Sequence, residues 1–79
     1  TFMAVTIQQI IEKIKTNSFT PKDYSKDVLI TIDGIVNLFR DENKNEHLKN
    51  DILTSLSGSK KIKIDMLTGR IEISKDLFQ

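Results

Sequence analysis

The run DENKNEH, residues 41 to 47, packs three of the eleven carboxylates and the histidine, side chains that could bind a metal or move a proton, into one short segment. Asp41-x-Asn43-x-Asn45 has the alternating oxygen donors that open a calcium loop. Such a loop also needs glycine at its sixth position and a bidentate glutamate at its twelfth. Those positions hold Glu46 and Ile52, and Lys44 adds positive charge among the donors. The run therefore reads as a polar loop that caps a helix. His47 is the single histidine. General-base or nucleophilic work needs an oriented partner beside it, and no serine or carboxylate spacing supplies one. His47 reads as a solvent-facing residue on a helix. The remaining carboxylates fall mostly at helix starts, where capping accounts for them. The chain has no Gly-rich phosphate loop and no His-x-x-x-His pair. The expectation is a protein that is not an enzyme, with no catalytic residue, no metal, no cofactor and no small-molecule substrate.

The elements that position these residues must come from 79 residues, which is one small domain spanning 1–79. Met3 reads as a native start, with Thr1 and Phe2 a leftover ahead of it. There is no cysteine, so disulfides and thiolate metal sites are excluded. That favours a cytoplasmic setting. Charged residues make up 29% of the chain and the net charge is +1. Such a balance exerts no general pull toward nucleic acid or membrane. No apolar run approaches the roughly 18 residues of a membrane span.

Thr6-Ile7-Gln8-Gln9 fits a capping box, and Val5 can staple onto Ile10. Ile7, Ile10, Ile11 and Ile14 follow at the spacing of one helical face, which predicts a helix over about 6–16. Thr20-Pro21-Lys22-Asp23 offers an N-cap hydroxyl, proline at the first helical position and a first-turn carboxylate. A helix from Pro21 would run into LITIDGIVNLF, residues 29–39. Asp33-Gly34 between apolar runs is also a hairpin signal. A half-buried strand should alternate, however, and this run does not. At about 100° per residue, Tyr24, Val28, Leu29, Ile32, Ile35, Val36 and Phe39 share one arc. Lys26, Asp33, Asn37 and Arg40 share the opposite side. The helix over about 21–42 is the preferred reading, and the hairpin turning at Asp33-Gly34 the alternative.

Asn43 or Asn45 can cap a third helix over about 45–57, with Leu48, Ile52, Leu53 and Leu56 on its apolar face and Gly58 as a left-handed C-cap. The last segment predicts an antiparallel hairpin over about 60–65 and 70–74. A four-residue loop, Met66 to Gly69, sets Asp65 opposite Arg70 and Lys63 opposite Glu72. It sets Ile64 opposite Ile71 and Ile62 opposite Ile73. Opposite charges then meet on one face and isoleucines on the other. Leu77 and Phe78 close the edge of the core. The fold class is α+β: three helices, then a C-terminal hairpin.

On the second helix, Ile30, Gly34 and Leu38 form a narrow second stripe whose middle residue has no side chain. That stripe is the candidate interface, for a protein partner that is either a different chain or a second copy. The favoured function is thus a non-catalytic interaction or regulatory module. Three helices followed by a hairpin is also the element order of a winged-helix DNA-binding domain, a resemblance of topology without motif residues. It implies nucleic-acid binding through Lys60, Lys61, Lys63 and Arg70 of the hairpin. It is the second choice because the third helix contains no arginine and two of those four cations have cross-strand partners.

Overall fold

A computed structural model describes residues 5–17, 24–40 and 46–79. Its elements are α1 (Ile7–Lys15), β1 (Val28–Thr31), α2 (Ile32–Phe39), α3 (Leu48–Ser57), β2 (Ile62–Asp65), β3 (Arg70–Ile73) and a closing 3-10 turn (Lys75–Phe78). The class is α+β: the described residues form three α-helices and a three-stranded antiparallel sheet in the order β1-β3-β2. One strand lies between the helices, so the sheet is more than a C-terminal hairpin.

Local rules account for α1. Thr6 and Gln9 make the reciprocal capping box, at 2.9 and 3.1 Å. Val5, Ile10, Ile11 and Ile14 are buried. The Ser55 hydroxyl of α3 donates to the Val5 carbonyl and ties the two helices together.

Residues 21–42 do not form one helix. Val28–Thr31 is a strand, and α2 starts only at Ile32. The hairpin alternative fails as well, because Asp33 and Gly34 occupy the first turn of α2. Thr31 ends the strand and caps the helix at once, its hydroxyl accepting from the Gly34 amide at 3.0 Å. The strand does alternate: Val28 is buried, Leu29 is 76% exposed and Ile30 faces inward. An apolar residue simply stands at a solvent-facing position, which gave the run the look of a helical arc. The Thr20–Asp23 cap lies outside the described residues.

β3 is the central strand. Val28, Ile73 and Ile62 form one cross-strand row, and Ile30, Ile71 and Ile64 the next. Both rows face the helices, where Ile35, Ile52 and Leu56 are fully buried against them. The outer rows are Leu29–Glu72–Lys63 and Thr31–Arg70–Asp65. The β2–β3 register is the one the charges and isoleucines dictate.

Two smaller expectations change. α3 begins at Leu48, not near residue 45, with His47 in the N-cap position and no side-chain cap bond there. Asn43 and Asn45 lie outside the described residues. Gly58 does sit at the C-cap, but at φ −77, an ordinary right-handed value. Phe78 is buried as expected, and its ring stacks on Tyr24 at 4.7 Å. Tyr24 has a positive φ of 44, and Asp27 accepts from the Lys75 amide at 3.0 Å. The closing turn thus fastens the chain leading into β1.

Two substitutions separate this fold from a continuous helix. Thr31→Ala should cost about 1 kcal/mol through loss of the cap. Leu29→Thr should change stability by less than about 0.5 kcal/mol, because the position is exposed and suits a β-branched residue. Urea unfolding of both variants measures this. A Leu29→Thr loss of several kcal/mol would restore the helical arc.

Candidate functional site

The β2–β3 loop is rigidly built. The Asp65 carboxylate accepts from the amides of Leu67 and Thr68, at 3.0 and 3.4 Å. The Gly69 amide closes the turn onto the Asp65 carbonyl at 2.8 Å. Gly69 holds φ 77, where an L side chain is strained. Its carbonyl accepts from the Ile32 amide at 2.8 Å, so the tip is tied to the start of α2. These bonds fix the direction of Met66 and Leu67. Leu67 is 98% exposed and Met66 72%. Two large apolar residues at a turn tip run against the usual polar turn chemistry.

Beside the tip lies a groove of about 250 Å³ between the first turn of α2, the exposed side of α3 and the hairpin. Its apolar walls are Ile32, Leu53 and Ile64, with Met66 and Leu67 along one edge. Asp33 and Lys49 supply the charges on its rim. Neither makes an ion pair with any described residue. Leu53 and Ile64 are half-buried, so the apolar wall continues from the core out to the tip.

The four hairpin cations are not gathered against α3. Lys60, Lys61 and Lys63 border a separate depression together with the acidic Asp27 and Glu72. Lys63 lies 3.8 Å from Glu72, and Lys61 3.9 Å from Asp76. Arg70 stands at the other end of the outer face, opposite Asp65 and Thr31. The exposed positions of α3 are Lys49, Asn50, Thr54 and Ser57, with a single cation among them.

Ile30, Gly34 and Leu38 do not form a helical stripe, because Ile30 belongs to β1. Ile30 and Gly34 nonetheless meet: a Cβ on Gly34 would lie 3.3 Å from Ile30 and 3.2 Å from the Thr31 hydroxyl. The missing side chain makes room for the strand-to-helix reversal. Ile30 and Leu38 are half-buried and pack against the core. The Asp41–Asn45 run lies outside the described residues. His47 is exposed, with Nε2 3.4 Å from the adjacent Glu46 carboxylate. Among the described residues no three His, Asp or Glu side chains converge on one point, and no helix is long and apolar enough to cross a membrane.

Met66, Leu67 and Leu53 carried no functional expectation from sequence. The available signal was Met-Leu inside a turn that otherwise needs only polar residues and glycine. No family model, no curated protein and no solved structure matches the chain.

The turn makes a pH prediction. The Leu67 amide above all, then Thr68 and the Arg70 charge, hold the Asp65 carboxyl below its usual 3.8. A lowered folded-state value means the bonds stabilise the tip above about pH 4 and are lost as pH falls through the folded pKa. The amide resonances of Leu67 and Thr68 should shift together in that acidic window. Asp65→Asn should remove the shared transition.

Proposed function

We propose that this chain is a small non-catalytic binding module that docks a protein through the β2–β3 tip and the groove beside α3. One observation carries the reading: Leu67 and Met66 are held out in water by a hydrogen-bonded turn, next to a groove walled in part by Ile32, Leu53 and Ile64. An isolated exposed leucine is ordinary, but an apolar tip continuous with an apolar wall is the form of a recognition surface. Removing a leucine side chain from water is worth roughly 1.5–3 kcal/mol. That is enough for the tip to act as an anchor. Regulation by occupancy of this surface would need no chemistry from the chain itself.

A second reading is favoured by topology. The order α1-β1-α2-α3-β2-β3, with β1 beside β3, resembles a winged-helix domain more fully than three helices and a hairpin did. In that resemblance α3 enters a DNA groove and the hairpin tip flanks it. Charge weighs against it. Nucleic-acid affinity comes mainly from cations on phosphates, whereas α3 presents one lysine and the tip is apolar.

The test is selection from a random-peptide library. Binders should carry apolar anchors, and Met66→Glu with Leu67→Glu should weaken them at least about tenfold, the loss of one buried anchor. Lys61→Glu with Arg70→Glu should leave them unchanged. Peptide binding indifferent to the tip, together with salt-sensitive duplex binding lost in the lysine–arginine pair, would move the function to nucleic acid.

A further inference from the structure

Resting on the docking reading, we infer that the protein seated on this surface is a second copy of the chain, each tip lying in the other's groove about a two-fold axis. The protruding part and the receiving part are neighbours on one face. Leu67 stands out from the edge of the groove that Leu53 and Ile64 line. A two-fold interface requires such a self-complementary patch, since the same surface must serve both copies.

The charges repeat the pattern. Asp33 and Lys49 are both exposed on the groove rim, opposite in sign, and neither pairs with any described residue. A two-fold axis through the groove sets Lys49 of one copy against Asp33 of the other, twice. The net charge of +1 opposes approach only slightly. The patch holds a handful of residues, against the ~20–30 a side of a standard interface, so the dimer is weak and concentration-dependent.

Sedimentation velocity tests this across about 10 µM to 1 mM, the range in which so small an interface would associate. The unaltered chain should pass from monomer to dimer. Leu67→Glu should shift the midpoint at least about tenfold toward higher concentration. Lys49→Glu and Asp33→Lys, each alone, should remain monomeric, because each places like charges across the axis. Their equimolar mixture should form a heterodimer, because mixing restores both opposite-charge contacts. Far-UV circular dichroism checks that each variant is folded.

A monomer throughout overturns the inference, as does a dimer insensitive to Leu67→Glu. Failure of the mixture to associate overturns the two-fold pairing. A monomer that still binds tip-dependent peptides removes the dimer and leaves the docking reading standing. A monomer that binds none removes both.

Discussion

Strand β3 sits between two partners, and most of the molecule depends on that position. Ile71 and Ile73 are each flanked on both sides by an inward-facing apolar residue. A two-stranded ribbon of four-residue strands would be marginal in water. The third strand doubles the ladder and widens the isoleucine face enough for helices to cover it. In a chain this short there is little other core to draw on. Loss of the β1 contact would expose Ile71 and Ile73 along one side and release the start of α2.

That pairing also builds the candidate site. β1 runs directly into α2 through Thr31, which serves both elements. The Ile32 amide then bonds to Gly69, so the strand, the helix and the hairpin tip are fixed to one another within a few ångströms. The groove is the space left where these three elements and α3 meet. Met66 and Leu67 are presented at the tip by a turn that bonds to the Asp65 carboxylate, the Asp65 carbonyl and the Thr68 hydroxyl. Meanwhile, on the outer sheet face, Lys63 pairs with Glu72 and Arg70 stands opposite Asp65.

The parts legible in the sequence are those where cause and effect are close in the chain. The Thr6–Gln9 capping box, the isoleucine face of α1 and the β2–β3 register each rest on residues within about a dozen positions. The hairpin was especially legible because two independent patterns, charge and isoleucine, allow only one loop length. The docking surface was less so. Met66 and Leu67 are ordinary loop residues by position, and only their exposure beside Leu53 and Ile64 gives them meaning. Ile30, Gly34 and Leu38 erred in the opposite sense, a helical spacing drawn across a strand end.

The sequence by itself determined the α+β class, the N-terminal helix, the apolar face of α3 and the hairpin with its Gly69 turn. Tertiary structure alone decided that residues 28–31 are a strand. Their own pattern is ambiguous, because the solvent-facing Leu29 completes a helical arc as well as it interrupts a strand. The deciding interaction is with Arg70–Ile73, some forty residues later. No local propensity reports a hydrogen-bond partner at that distance, and the free edge of β3 could be satisfied only by a segment rich in β-branched residues brought back beside it.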